Sequence, residues 1–365
     1  MNGIITIILS LSHLVAPFTP ANTSSPPATA AMSQSPLVET FDAANGPGNI
    51  RSTLKIAHRL DNGPWQVKNA AYPIQGQRIR LKVHNQRVEK IQWYLVFADI
   101  TRIYKNANRP GETNAYQWTG LDPIQYHRIE IVDVRDQREI DPIPHVDEMT
   151  KHIAQWATQN GAPCWAVDFY QSRLGTFWFQ VEGEIKGKAV RSRGLDDITE
   201  RGISTGAFRL SVRDSDDYLG WITSFYNVPG VFGSILYQSR HYLGADCADV
   251  MMTAWAKWKH KNLSKNYNVQ MLLSKFPAQV ETVIAGGTPD TTIKWHTQVS
   301  PGDLIAVRYG DTGKKFHHVG ALVDDTNGNG LLDAEDQIIH AGPYPLHLTT
   351  LAEGAFDGHV VILRP

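Results

Sequence analysis

A cysteine stands at the predicted start of an amphipathic helix in the last third of the chain. From Cys247 to Trp258 apolar residues recur at spacings of three and four, which is typical of a helix with one buried face. Asp246 and Asp249 form a capping-box-like pair, so Cys247 is expected to be the first helical residue. The helix dipole and the free N–H groups there favour a thiolate, whereas the two carboxylates oppose it. Cys247 is therefore a candidate nucleophile, with a small buried core cysteine as the alternative.

Two histidines could supply the base, and the group that orients it, which a cysteine nucleophile needs. His318 opens one predicted strand and His340 ends the next. Adjacent antiparallel strands would place both side chains near the start of the Cys247 helix. Because alternate residues of a strand point to opposite faces, the register decides whether His317 or His318 is the base. The sequence predicts a Cys247–His318–His340 site, unless a disulfide between Cys164 and Cys247 blocks it.

The stretch between the two histidines fits a twelve-residue calcium loop. Oxygen ligands fall at positions one, three, five, seven, nine and twelve, and Gly330 takes position six, where the loop turns sharply. In order, the ligands are Asp325, Asn327, Asn329, the Leu331 carbonyl, Asp333 and Asp336. An acidic Asn-Gly hairpin turn is the alternative. We expect structural Ca²⁺ here and no organic cofactor, with the ion fixing the register of His318 and His340.

Composition excludes some classes of protein. The chain has 365 residues, enough for two or three domains, and its 42% hydrophobic and 19% charged content is that of a soluble globular protein. A formal net charge of −1 gives no reason to expect nucleic acid or an anionic membrane as a partner. Two cysteines cannot form a disulfide framework.

The first 36 residues are typical of a signal peptide or a disordered leader. A short apolar run, Ile4–Val15, precedes a stretch rich in Pro, Ala, Ser and Thr, although no Lys or Arg comes before Ile4. Export to a periplasmic or extracellular compartment is the favoured interpretation. No other stretch is long and apolar enough to span a membrane, so the mature chain is predicted to have no span.

The remainder divides into three predicted segments. Residues 37–144 alternate short strands with Gly, Pro, Asn and Asp and predict a β-rich domain. Residues 145–230 predict a mixed, mostly β region with a helix at His145–Gln159, a strand opening at Cys164 and a solvated loop at 186–201. Residues 231–365 predict helices followed by an antiparallel sheet, so the expected fold class is α+β.

Four short motifs occur in an order that resembles one peptidase family. They are Asp246-Cys247, Ser300-Pro-Gly-Asp-Leu304, His318-Val-Gly320 and Ile338-Ile-His-Ala341. Residues 230–365 resemble, through these motifs, the NlpC family of papain-like cysteine peptidases of bacterial cell walls.

The resemblance implies a papain-like C-terminal domain, with the Cys-bearing helix packed on an antiparallel sheet. It also implies Cys247 as nucleophile, His318 as base, His340 as the group that orients it, and Tyr237 near the oxyanion. The chain departs from the family pattern after the cysteine, where Ala248 and Asp249 replace Ser-Gly and add a negative charge.

These observations predict an exported thiol hydrolase that cleaves an amide or peptide bond, with peptidoglycan-like peptides as substrate. Two alternatives remain open: a non-catalytic, calcium-stabilised binding module on the same fold, and an acyl or amide transferase. The oligomeric state is not predicted.

Overall fold

The computed structural model describes residues 38–40, 51–85, 87–105, 124–199, 201–310, 315–342 and 344–365. The predicted leader, residues 1–36, lies outside the described residues. All described residues belong to one compact unit, Pro36–Pro365. The protein is of the mixed α+β class, mostly sheet with few helices, and includes a sheet curled into a half-barrel.

The first part of the unit consists of strands. In chain order they are β1 (Val38–Thr40), β2 (Arg51–Ser52), β3 (Ile56–Leu60), β4 (Ala70–Ala71), β5 (Ile79–Val83), β6 (Glu89–Ala98), β7 (Tyr104–Lys105), β8 (Tyr126–Glu130) and β9 (Glu139–Ile140).

The middle part mixes helices and strands. It comprises α1 (Pro142–Gln159), α2 (Cys164–Val167), β10 (Gly175–Ile185), β11 (Lys188–Arg191), β12 (Ile198–Thr199), β13 (Gly202–Ile203), β14 (Phe208–Val212), α3 (Tyr218–Thr223) and β15 (Val231–Phe232).

The last part places helices before its sheet. It comprises α4 (Leu236–Arg240), α5 (Cys247–Trp258), α6 (Val269–Lys275), β16 (Ala278–Ala285), β17 (Thr288–Pro289), β18 (Leu304–Arg308), β19 (His318–Asp324), β20 (Gln337–His340), β21 (His347–Thr350) and β22 (Gly358–Leu363).

An eight-stranded sheet dominates the first two parts, in the order β1-β8-β6-β10-β11-β2, with β14 and β4 joined to β10. Its long central strands are buried on both faces. Trp93 and Leu95 face a core that also contains Met149 of α1, whereas Val96 and Trp178 face a second core on the opposite side. The alternation of side chains along a strand produces this division.

A seven-stranded antiparallel sheet forms the last part, in the order β17-β16-β22-β18-β19-β20-β21. One face packs on α5, where Val319 and Ala321 share a core with Met251. The opposite face shares a core with Trp295 and Phe356. The two faces of β19 therefore pack against different hydrophobic cores.

Several predicted elements are confirmed and others are wrong. Helix α5 begins at Cys247 and ends at Trp258, as its periodicity predicts. The strand predicted to open at Cys164 is instead the short helix α2, preceded by Pro163 in an extended conformation. A fully apolar run of this length is compatible with either element, so periodicity alone does not distinguish them.

The predicted loop at 186–201 contains strand β11, which pairs with β10. Lys186 and Gly187 both have positive φ, 53° and 71°, as the tight turn of a two-residue hairpin requires. Arg191 is buried and pairs with Asp196, so the charges of this segment are not all solvated. In the described part of the chain, no helix is both long and apolar enough to cross a bilayer.

Candidate active site

Cys247 is the first residue of α5, directly after its N-cap. Asp246 accepts a hydrogen bond from the backbone N–H of Asp249 at 3.0 Å, so one of the free donors of the first turn is satisfied. Among the described residues the N–H of Cys247 has no acceptor. A Cβ added at Gly342 would lie 3.7 Å from this nitrogen, at ordinary contact distance, so Gly342 is a neighbour of the N–H group.

The thiol is protonated at neutral pH. Burial raises the pKa of Cys247 to about 12, and the charge of Asp246 adds to the effect. Backbone N–H groups of Val319 and Ala248 act in the opposite direction but do not compensate. The helix start alone therefore does not produce a resting thiolate, because desolvation outweighs the hydrogen bonds.

His318 and His340 are directly hydrogen-bonded to each other. His318 Nε2 lies 3.0 Å from His340 Nδ1, and His340 Nε2 lies 3.1 Å from the hydroxyl of Thr349. Strand pairing places Gly320 opposite His340, and a Cβ at Gly320 would come within 3.0 Å of the His340 Cβ. A glycine at position 320 therefore gives the His340 side chain its room.

The register selects His318 rather than His317 as the partner of His340. His317 is exposed, and its ring stacks on Tyr309 at 6.5 Å. His318 is buried against Phe356, with ring centroids 5.1 Å apart. The register thus shows which histidine meets His340, whereas Val319, the residue that contacts the thiol, faces α5.

Both histidines are neutral at neutral pH. Burial, aided by His347, lowers the pKa of His318 to about 4. Burial also lowers the pKa of His340 well below its usual value, and the neighbouring His318 and His347 reinforce the effect. Neutral imidazoles can accept a proton, which is what a general base requires.

The Cys247 thiol packs on the α5 face of the sheet, whereas the His318 and His340 side chains contact the opposite face. The sulfur interacts with the N–H of Val319, the residue after His318. The histidine side chains contact Phe356, which belongs to the face opposite α5. His318 begins β19 and His340 ends β20, so both lie at the strand ends. No hydrogen bond joins the thiol to the His318 imidazole among the described residues.

Asp249 raises the pKa of the Cys247 thiol less than burial and Asp246 do. Its carboxyl is buried and bonded to the Ser234 hydroxyl at 2.5 Å. Burial, with Asp246 adding to it, raises the pKa of Asp249 well above its usual value, so the neutral acid is favoured. Burial also raises the pKa of Asp246 to about 6, against two backbone N–H bonds.

Tyr237 and Tyr309 differ in their relation to the thiol. Tyr237, on α4, is 38% exposed, and its described ring contacts are with His241 at 4.9 Å and the Arg201 guanidinium at 5.3 Å. Tyr309 was not predicted as a site residue. Burial is the main cause that raises its pKa, and the nearby Cys247 is the second cause. Tyr309 donates to the Ala355 carbonyl at 2.9 Å. The position of Tyr309 directly after β18 indicates that it lies near Cys247 only once the register of the sheet is known.

An aromatic group that sequence reasoning missed borders the histidines. His347 lies 4.4 Å from the His340 ring, and Phe169 lies 4.9 Å from His347. Trp165 contacts Tyr344 at 4.9 Å and is 46% exposed. Because Trp165 and Phe169 come from the middle segment of the chain, that segment contributes to the surroundings of the site.

The predicted calcium loop connects β19 and β20 at the end of the hairpin away from the histidines. Its polar side chains converge: Asn327 and Asn329 both donate to Asp333, at 3.0 and 2.6 Å. Asp325 accepts from the N–H of Gly330 at 2.8 Å, while its other oxygen is buried without a partner.

Asp336 anchors this loop to the sheet. It is fully buried and accepts from the Trp295 indole N–H at 2.8 Å and from two backbone N–H groups. Its Oδ1 accepts a single one of these bonds, so that oxygen retains acceptor capacity. The unpartnered oxygen of Asp325 and this remaining capacity fit a hard cation with oxygen ligands.

Two further features concern metals and thiols. Asp133, His145 and Glu148 offer ligand atoms within 4.8 Å of one another, although both acids are exposed. Cys164 is exposed and, like Cys247, is a free thiol, so the disulfide considered from the sequence is not present in this structure.

Comparison of the chain with family models, with curated proteins and with solved structures gave no match.

Proposed function

We propose that the protein is a thiol hydrolase that cleaves an amide or peptide bond, with peptides of the bacterial cell wall as substrate. The observation that carries the proposal is the contact of the Cys247 sulfur with the N–H of Val319, the residue next to His318, which itself lies 3.0 Å from His340. The substrate class rests on the resemblance of residues 230–365 to NlpC-type, papain-like peptidases. Export rests on the sequence of residues 1–36.

The hydrogen-bond chain assigns a role to each ring nitrogen. If His340 Nε2 donates to Thr349 and His318 Nε2 donates to His340 Nδ1, then Nδ1 of His318 carries no proton. We assign this nitrogen the proton of the Cys247 thiol, which requires the two groups to approach each other, because no described contact joins them in this structure. His340 acts as a positioning residue that holds His318 in this tautomer.

The reaction proceeds in two halves. The thiol proton moves to His318 as sulfur attacks the carbonyl carbon, and the oxyanion is held by the free N–H of Cys247. Collapse breaks the C–N bond, and His318 returns the proton to the departing amine. Water then attacks the thioester, with His318 again as base, and releases the acid and the thiol.

The high pKa of the thiol makes this a general-base mechanism. With Cys247 near 12 and His318 near 4, the neutral pair predominates in the resting protein. The thiolate is then formed during attack, because transfer to His318 before attack would be strongly uphill.

The experiment is incubation of the protein with synthetic stem peptides and with muropeptides, followed by mass spectrometry of the products. Cleavage that is lost in Cys247→Ser and retained in Cys164→Ser supports the proposal. An intact substrate pool with the wild-type protein, under conditions where it is folded, contradicts it.

One observation favours a second candidate function, a non-catalytic binding module on the same fold. A pKa raised by burial, as that of Cys247 is, is also typical of a buried thiol that does not react. Binding of the same peptides without cleavage, unaffected by Cys247→Ser, would identify this function. A product carrying an added amine in place of water would identify a transferase.

We also propose that the Asp325–Asp336 loop binds Ca²⁺ and thereby stabilises the hairpin that carries His318 and His340. The support is the buried, unpartnered oxygen of Asp325 together with the converging oxygen ligands of the loop. Bound Ca²⁺ would neutralise carboxylates that now lie close together.

Calcium titration monitored by thermal unfolding tests the loop. We expect a saturable rise in Tm with Ca²⁺ that Asp325→Asn abolishes. Glu335→Gln is the matched control, since it removes one exposed charge of the same loop outside the predicted ligand positions. Equal behaviour of the two variants, or no rise in the wild type, contradicts a calcium site.

A further inference from the structure

A second group of chemistry-bearing residues lies at the opposite end of α5 from Cys247. A cavity of about 410 Å³ is bounded on one side by the first sheet, through β4, β14 and Trp178, and on the other by α4 and α5. Four cationic residues line it, and none of the described lining residues is acidic; the four are Lys68, Arg209, Arg240 and Lys257.

Arg209 is the buried charge of this cavity, with 7% exposure. Its guanidinium donates to the His241 carbonyl and to the Tyr72 hydroxyl, and it lies 4.4 Å from the centre of the Tyr242 ring. Its Nε is buried without a partner. No described carboxylate forms an ion pair with it, although buried charges in proteins are normally paired.

Lys257 adds a second cation at the same point. Its ammonium donates to the Tyr72 hydroxyl at 2.9 Å and lies 4.4 Å from the centre of that ring. The phenol oxygen of Tyr72 thus accepts hydrogen bonds from two cations. No described residue accepts a hydrogen bond from the Tyr72 hydroxyl proton. Burial raises the pKa of Tyr72, but Arg209 and Lys257 outweigh it and bring the net value below the usual one.

The same positive field reaches His241. Burial, together with the charges of Arg209, Arg240 and Lys257, lowers the pKa of His241 to about 4. The region therefore concentrates positive charge. Among the described residues, aromatic ring faces and the phenol oxygen of Tyr72 interact favourably with that charge. An anionic ligand is the counter-charge that such an arrangement lacks.

We propose that the cavity bounded by Tyr72, Arg209 and Lys257 binds a phosphate group, as inorganic phosphate or as the monoester of a small organic molecule. A planar guanidinium with a free N–H and an adjacent ammonium match the oxygens of a phosphate. Four cations suit a dianion better than a monoanion. The hydroxyls of Ser204 and Thr205 also line the cavity and provide neutral donors.

Isothermal titration calorimetry of the full chain at constant ionic strength tests the proposal. The probes are inorganic phosphate, glucose 6-phosphate and succinate, the last a dicarboxylate of similar charge. We expect saturable binding of at least one phosphate probe and weaker binding of succinate. Tighter binding of the sugar phosphate identifies an organic monoester, and equal binding identifies the phosphate group alone; both support the site.

Variants locate the binding. Lys257→Gln should weaken phosphate binding about tenfold or more, because it removes one of two cations that meet at Tyr72. Lys259→Gln is the matched control: it removes an exposed lysine two positions away that does not line the cavity. Tyr72→Phe provides a second variant, should Lys257→Gln unfold.

The proposal is overturned if neither phosphate probe binds, if succinate binds as tightly, or if the Lys259 and Lys257 variants behave alike. It is independent of the thiol chemistry, so Cys247→Ser should bind phosphate like the wild type.

Discussion

The two ends of helix α5 carry opposite charges and handle them differently. Asp246 caps the N-terminus, Asp249 stands in the first turn and Lys257 in the last, as the helix dipole favours. At the acidic end, burial raises the pKa values of the carboxyls and the thiol, so protonation reduces the charge. At the basic end, Arg209 cannot lose its proton, and its charge persists.

This difference separates two kinds of site. Groups that change protonation when buried are suited to moving protons, and the neutral pair His318 and Cys247 is of this kind. A cation that cannot change protonation instead requires an anion. The proposed thiol chemistry therefore belongs to the first end and the proposed phosphate binding to the second.

The largest expected effect is at the acidic end. His318→Gln should lower the rate of peptide cleavage by about 10²–10⁴-fold, because it removes the general base. His317→Gln is the control, since that ring is exposed and stacks on Tyr309. Initial rates of stem-peptide cleavage measure both, and equal losses would show that His318 has no special role.

Asp249→Asn should stabilise the protein increasingly as pH rises. The folded state holds the Asp249 proton to a higher pH than the unfolded state, so wild-type stability falls as pH rises above the unfolded pKa of about 3.9. Asn does not titrate, so its advantage grows by up to about 1.4 kcal/mol per pH unit until the folded carboxyl ionises.

Urea unfolding of both proteins from pH 4 to pH 8 measures this advantage. A difference that is independent of pH would mean that Asp249 is ionised in the folded protein. Lys259→Gln, at the exposed C-cap of α5, should show no such dependence over this range.

Asp246→Asn should make Cys247 more reactive. The charge of Asp246 raises the pKa of the thiol, and Asn preserves the N-cap, so alkylation at pH 8 should be about tenfold faster for each unit by which the pKa falls. Below about pH 6 the wild-type carboxyl is itself protonated, and the difference should vanish.

Iodoacetamide labelling read by mass spectrometry measures this rate, with exposed Cys164 as the internal reference. In the wild type at neutral pH, Cys164 should label before Cys247. Acceleration of both cysteines by the substitution would indicate general loosening of the fold rather than a local electrostatic effect.

Thr349→Val should have the smallest effect. It removes the hydroxyl beside His340 Nε2, a single hydrogen bond worth about 1 kcal/mol, so cleavage should slow by about fivefold. The pH dependence of the rate should shift as well, since His318 loses part of what holds its tautomer. An unchanged profile would assign Thr349 a packing role.

Local patterns identified the elements that carry the candidate site. The amphipathic period and the Asp246 cap placed the start of α5 at the correct residue, because both signals lie within one turn of the chain. The strands at His318 and His340 were likewise found from their own residues. The strand expected at Cys164 was wrong, because a short apolar run does not distinguish a buried strand from a helix.

The sequence by itself determined residue types, helix α5 and the strands at His318 and His340, since these depend on neighbouring residues. Only the tertiary structure decided that His318 rather than His317 meets His340, that Asp249 is buried with a raised pKa, and that Arg209 meets Lys257 at Tyr72. Each of these depends on strand register or on contacts between distant segments, and burial then sets which charges persist.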